Sequence, residues 1–251
     1  MRTRLLRVLS VPDIHYPEHD QKSIELMVKV AKDFKPDVCI FLGDVFDMYC
    51  ISRFEKKPDK DYLLLRDELK DSRILFQDLV GDINAKKTVF LGGNHELRLE
   101  KYIANHASRL GGLLKTEDVL GISSKVLYLP YGPKNRYQIG KLMFAHGTRT
   151  GAHPAASMVS TYRSSVMFGH VHRIQEYHIT DIHGNDFVGL TPGWLGDQEK
   201  AGDYLPDISN WGQGFGLTWH KPSGDFFYSL VRIASHKDRR ECLFNSVVYS
   251  R

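Results

Sequence analysis

Five short apolar runs in this sequence are each followed at once by side chains that can hold a metal ion or a proton. Residues 8–11 lead to Asp13, Ile14 and His15, and residues 38–42 to Gly43, Asp44, Val45, Phe46 and Asp47. Residues 89–91 lead to Gly92, Gly93, Asn94, His95 and Glu96. Residues 142–145 lead to His146 and Gly147, and residues 166–168 to Gly169, His170, Val171 and His172. Taken singly, each run has an ordinary explanation: a turn aspartate, a helix-capping asparagine, two histidines sharing a sheet face. Taken together they describe strand ends. Loops beyond the carboxyl ends of parallel strands converge on one point, so five ends carrying Asp, His and Asn suggest one polynuclear metal site.

The elements needed to present those ends are legible in the periodicity. Residues 5–11 form a nearly continuous apolar run, the pattern of a strand covered on both faces. Over residues 21–34, Ile24, Met27, Val28 and Ala31 fall on one helical stripe, with Asp20 placed to cap it. A second buried strand at 38–42 precedes a polar stretch at 53–60 and a long helix over about 61–82, whose apolar side carries Leu65, Leu69, Phe76 and Leu79. A third strand at 88–91 and a helix at 96–105 complete a strand–helix alternation, the grammar of a parallel sheet. Beyond residue 125 eight short runs alternate with Gly, Pro, Asn and Asp, and 140–141, 184–185 and 223–225 read as hairpin turns. The second half is expected to be strand-rich and largely antiparallel. The fold expected is α/β, a four-layer sandwich of two mixed β-sheets flanked by helices, with residues 1–251 forming a single domain.

Composition narrows the function classes. The chain has 251 residues, 42% hydrophobic, with 34 Lys and Arg against 30 Asp and Glu for a net charge of +4. That length is ample for a buried core, and a charge so small and so dispersed argues against a tail-driven nucleic-acid binder. Twenty-eight aromatic residues argue against disorder. Cys39, Cys50 and Cys242 are too few and too far apart for a disulfide framework or a CxxC zinc site. The apolar run at 5–11 is broken by Arg7 and followed by Pro12, so no signal-peptide core is recognised, and no run approaches the length of a membrane span. A cytoplasmic protein without a membrane partner is the expectation.

The motifs DxH, GDxxD, GNHE, an isolated His and GHxH, in this order over residues 13–172, resemble the calcineurin-like metallophosphoesterase superfamily. The resemblance implies two adjacent divalent ions. Asp13, His15, Asp44 and His172 would hold the first; Asp44, Asn94, His146 and His170 the second, with Asp44 bridging. Carboxylate, imidazole and amide donors without thiolate suit manganese foremost, with iron or zinc as options, and disfavour calcium. The activity implied is phosphoester hydrolysis by in-line attack of a metal-bridging hydroxide. His95, next to a ligand but not itself one in the family pattern, would be the general acid, and Asp47 would orient it. Arg98, Arg149 and His153 are candidates for contacting the substrate. The segment 191–195 resembles the family's Pro-Gly stretch after GHxH, which makes Trp194 a structural buttress.

Substrate class is constrained mainly by departures. The protein-phosphatase branch carries Arg-Gly after the second Asp of GDxxD, whereas Met48-Tyr49 stands here; lipid-A-precursor hydrolases have Arg in place of His95. The GDVFD segment is similar to that of recombination-repair nucleases. A phosphodiesterase on nucleotides or nucleic acid is therefore the leading expectation. A phosphomonoesterase on small molecules or phosphoproteins is the alternative, and a non-catalytic scaffold of the same fold is disfavoured because every motif residue is present.

Overall fold

The computed structural model describes residues 3–53, 64–201 and 210–251. The chain first lays down four parallel strands, β1 (Leu6–Val11), β2 (Val38–Phe41), β3 (Lys87–Leu91) and β4 (Val126–Leu129). Between them run helices α1 (Gln21–Phe34), α2 (Leu65–Ile83) and α3 (Leu97–His106), and the single-turn α4 (Thr116–Val119). A second sheet follows: β5 (Tyr137–Ile139), β6 (Leu142–Ala145), helix α5 (Pro154–Tyr162), β7 (Ser165–Phe168), β8 (Ile174–Thr180) and β9 (Asp186–Pro192), in spatial order β5-β6-β7-β9-β8. After the short α6 (Gln198–Ala201), strands β10 (Gly214–His220) and β11 (Phe226–Arg232) return antiparallel to the β1 edge of the first sheet. An antiparallel meander of β12 (Ala234–His236), β13 (Arg239–Phe244) and β14 (Val247–Ser250) ends the chain.

The two large sheets face each other. Val8, Val38, Ile40, Leu42, Val89 and Leu91 from the first interleave with Leu142, Phe144, Met167, Val188 and Leu190 from the second. The outer face of the first sheet is covered by α1, α2 and the terminal meander around Phe34, Phe76, Phe90 and Phe244. The outer face of the second sheet is covered by α5 through Ala155, Met158 and Val159. The result is the expected α/β sandwich of helices, sheet, sheet and helix. Among the described residues, no helix is long and apolar enough to cross a membrane.

Local expectations hold where the pattern is local. Asp20 caps α1 by accepting from the Ser23 N–H at 3.1 Å, and the three expected turns do connect β5–β6, β8–β9 and β10–β11. The long second helix is described from Leu65, so its expected first turn at 61–63 lies outside the described residues, and α3 is shifted by one residue to Leu97–His106. The second half is largely antiparallel, as expected, but two of its features were not foreseen. The heart of the second sheet, β6-β7-β9, is parallel: α5 provides the crossover from β6 to β7, and β8 intervenes between β7 and β9 in the chain. The meander β12–β14 was also unforeseen. Its strands are short, charged at Arg239, Arg240 and Glu241, and alternate too weakly to stand out.

Candidate metal centre

All five motif strands, β1, β2, β3, β6 and β7, release their side chains at the same end of the sandwich. Backbone geometry there is unusual. His15, Asp44, His170 and His172 have φ of 53°, 50°, 72° and 55°, a left-handed conformation that costs non-glycine residues about 1–3 kcal/mol each and persists where the surroundings enforce it. Gly93 is required by proximity: a Cβ there would collide with Oδ1 of Asp44. Glu96 fixes the loop that follows β2. Its buried carboxylate accepts the N–H groups of Asp44, Val45, Phe46 and Gly93 at 3.0, 2.9, 3.0 and 2.6 Å. Burial and then the Asp44 carboxylate push the Glu96 pKa up, while the donated N–H groups pull it down.

Three clusters of donor atoms result, each with its atoms within 4.8 Å of one another: Asp13, His15 and His172; His15, Asp44 and His95; and Asp44, His146 and His170. The first and third clusters lie on either side of Asp44. His15 Nε2 faces His172 Nε2 at 2.9 Å, and Asp44 Oδ2 lies 3.3 Å from His146 Nε2 and 3.9 Å from His15 Nε2. Asn94 Oδ1 is 3.0 Å from His146 Nε2. His146 Nδ1 points at the Leu42 carbonyl at 2.8 Å, which places a proton on Nδ1. Burial works against a charged ring, but Asp44 outweighs it and raises the pKa to about 9, so without a metal Nε2 also carries a proton towards Asp44 and Asn94, one that a bound metal would displace. Asp13 accepts the His170 N–H on Oδ1, while its Oδ2 is buried with no partner among the described residues, as is Nδ1 of His172.

The electrostatics match a site built for cations. Burial raises the Asp13 pKa well above its ordinary value, with His146 opposing. Burial would also raise Asp44, but His146, His95 and His15 together hold it well below the usual carboxylate range. Burial pushes His15 and His172 down and lowers His170 to about 4. These rings are therefore neutral at physiological pH, the form that offers a lone pair to a metal. Neutral imidazoles, buried carboxylates and an orphaned carboxylate oxygen fit a pair of divalent ions.

His95, a member of the second cluster, has a further partner outside it. Its Nδ1 lies 2.9 Å from Asp47 Oδ1, and its ring is 4.5 Å from that of His15. Burial works against a charged His95 ring, but Asp44 and Asp47 outweigh it and its pKa is raised. Asp47, where burial is more than offset by His95 and His15, is held well below the carboxylate range. Arg98 is drawn in with them: one guanidinium nitrogen donates to the Asp47 carbonyl at 2.7 Å and another lies 3.1 Å from His95 Nε2. Arg149 and His153 behave differently. Both are exposed on the loop after β6, and His153 uses its carbonyl to start α5 at Ser157.

Three features of the centre escaped the sequence. Trp194 does more than buttress: its indole stacks on His172 at 4.8 Å and 12°. Trp211 meets both His172 and Trp194 edge-on, at 4.3 and 4.7 Å. It precedes β10 and follows no motif, so only the pairing of β10 with β1, which brings it to this end, could have revealed it. Glu96 was visible as part of GNHE, but its task of holding four backbone N–H groups was not.

Residues 6–173 match the family described as calcineurin-like phosphoesterase. The chain belongs to that family. As a calcineurin-like phosphoesterase it carries the metal-dependent hydrolase's His/Asp site intact, with buried donor clusters forming a candidate binuclear centre. Among curated proteins it is 24% identical over 227 residues to the Gene 54 protein of Mycobacterium phage D29, covering 84% of this chain and 88% of that one. Among solved structures, Vacuolar Protein Sorting 29 from Cryptosporidium parvum aligns with TM-score 0.48 and 13% identity, over 99% of this chain and 96% of that one. Yfce, a phosphoesterase from E. coli, aligns with TM-score 0.41 and 12% identity, over 89% and 98%.

Proposed function

We propose that this calcineurin-like phosphoesterase is a phosphodiesterase acting on nucleotides or nucleic acid in a reducing, cytoplasmic setting, its whole chain serving as one domain. Manganese is the first choice of ion for both positions, with iron or zinc compatible. The observation that carries the reading is Asp44, whose carboxylate lies between two histidine-bearing clusters. In the proposed assignment Asp13, His15, Asp44 and His172 hold one ion and Asp44, Asn94, His146 and His170 the other.

Bound there, the two ions would generate a nucleophile from water and neutralise the phosphoryl oxygens during in-line displacement. The protein supplies the proton for the leaving group. His95 Nε2 lies 3.9 Å from Asp44 Oδ2, next to the reacting phosphorus in this assignment, while Asp47 holds the opposite ring nitrogen. His95 thus acts as general acid and Asp47 keeps it oriented and charged. Once the proton has left, Nε2 becomes an acceptor for the Arg98 guanidinium already 3.1 Å away. Arg98 therefore acts on the acid rather than as a free phosphate clamp, and among the described residues Arg149 and His153 stay exposed on their loop rather than joining the donor clusters. That supports a diester, with one negative charge, over a monoester, with two. The buried thiols of Cys39 and Cys242 are consistent with the reducing setting.

The test is a paired assay. The purified protein is analysed for bound metal, loaded with manganese and given nitrophenyl phosphate and bis(nitrophenyl) phosphate. A higher kcat/KM for the diester is expected. Preference for the monoester would make the protein a phosphatase, and a protein that binds no metal and turns over neither ester would refute hydrolysis altogether.

A further inference from the structure

Beside His95 lies a recess of about 100 Å³ whose walls include Asp47, His95, His172, Trp194, Trp211 and Glu18. Its position matters because His95 is the proton donor to the departing oxygen. A group carried on the oxygen that His95 protonates is placed to extend into this recess, which His15 also lines. The walls are largely aromatic: the half-buried Trp211 indole meets both the Trp194 indole and the His172 ring. The volume admits one planar ring system and excludes a peptide with its flanking side chains. Trp194 is 2% exposed, and its indole N–H has no acceptor among the described residues.

We propose that this recess is a leaving-group subsite for a nucleoside, with its neutral heteroaromatic base packed against the half-buried Trp211 beside His95. The proposal rests on the phosphodiesterase reading above and names the side of the ester on which the base is recognised. Base–aromatic packing is sequence-tolerant, because every base has a π face, and is worth about 1–3 kcal/mol per base. The subsite therefore distinguishes a base-bearing leaving group from one that lacks a base, and only weakly one base from another.

The test uses the manganese-loaded full chain and two substrates, a dinucleoside monophosphate and its analogue without a base on the leaving nucleoside. The wild type is expected to favour the base-bearing substrate in kcat/KM by about tenfold. Trp211→Leu should collapse that ratio towards one, and Trp211→Phe should keep most of it. Because Trp211 also touches His172, the ratio between substrates, rather than either rate alone, is the readout. Equal rates on the two substrates in the wild type, or an unchanged ratio in Trp211→Leu, would overturn the subsite. So would hydrolysis of nitrophenyl diesters with none of the dinucleotide, an outcome that leaves the phosphoesterase standing. Adenosine binding, followed by tryptophan fluorescence without manganese, gives a readout independent of turnover. Quenching in the wild type that is lost in Trp211→Leu supports the subsite, and its absence in the wild type sinks it even if hydrolysis proceeds.

Discussion

The two ends of this sandwich both carry histidines, and they are not alike. At the end where β1, β2, β3, β6 and β7 stop, rings are paired with buried carboxylates, four site residues take left-handed backbone, and polar atoms of Asp13 and His172 lack partners among the described residues. At the opposite end lies a far larger recess, about 740 Å³, lined by residues such as Lys141, His178, Asn185, Asp225 and Tyr228. Its charged groups are satisfied locally. Lys141 pairs with Asp225 at 2.5 Å, His178 meets the Tyr228 hydroxyl at 2.8 Å, and the neighbouring His220 meets Thr218 at 2.8 Å through Nε2, although its Nδ1 is buried without a partner among the described residues. These far-end residues lie in strands or their turns, and the histidines show none of the left-handed backbone of the centre. Space alone does not make a site. Convergent donors held in costly conformations do, because folding retains such an arrangement only where something else compensates it.

The sharpest way to break this contrast is to remove the charge shared by the two clusters. Asp44→Asn keeps the shape and one hydrogen-bond acceptor but deprives both clusters of their common carboxylate. Bound metal, measured by elemental analysis, should fall, and turnover should drop by more than about a thousandfold. Full activity in this variant would remove the reason for treating the two clusters as one centre. The next effect in size is chemical rather than structural. His95→Ala should retain its metal yet lose about 10²–10⁴ in kcat on esters with alkyl leaving groups. Its loss on nitrophenyl esters should be much smaller, since that leaving group needs little protonation. Equal losses on both would exclude His95 as general acid.

How much of this was readable in advance depended on the range of the interaction. The metal-capable residues could be found because each sits immediately after a strand, so a local pattern marks a three-dimensional convergence. Asp20 was readable as a cap for the same reason, with its acceptor and donor three residues apart. Trp211 was not, because its neighbours Trp194 and His172 are brought to it by the return of β10 to the first sheet. The engagement of Arg98 with the Asp47 carbonyl spans 51 residues, and nothing in residue type announces a side chain's choice of a distant backbone oxygen. The parallel core of the second sheet was hidden by its short strands, which look the same in either orientation until the crossover helix α5 is recognised.

Glu96 measures how far the special end depends on support from outside the donor set. Glu96→Ala would strand four buried N–H groups, and we expect a loss of at least about 3 kcal/mol in urea unfolding, with metal affinity falling in parallel. Glu96→Gln should fall between, since an amide offers one acceptor oxygen where the carboxylate offers two. A stable, metal-replete Glu96→Ala protein would mean that the left-handed loop holds itself.

The smallest effect comes from the ordinary end and sharpens the comparison by its independence from metal. His220 is 3% exposed at the end of β10, and burial lowers its pKa to about 4. The unfolded chain, with an ordinary imidazole near 6.5, therefore binds a proton that the folded chain refuses between those two values, so stability rises with pH across that window and is lost on acidification. Between pH 7 and pH 5 this one ring should cost the wild type up to about 2 kcal/mol. His220→Gln places an amide near Thr218 but cannot titrate, so its urea midpoint should fall less than the wild type's over the same range. Turnover should be indifferent, because the ring sits at the pole opposite the donor clusters. A wild-type and variant pair with parallel pH profiles would show that His220 is protonated without cost in the fold, and that the two ends differ less in their electrostatics than in their backbone.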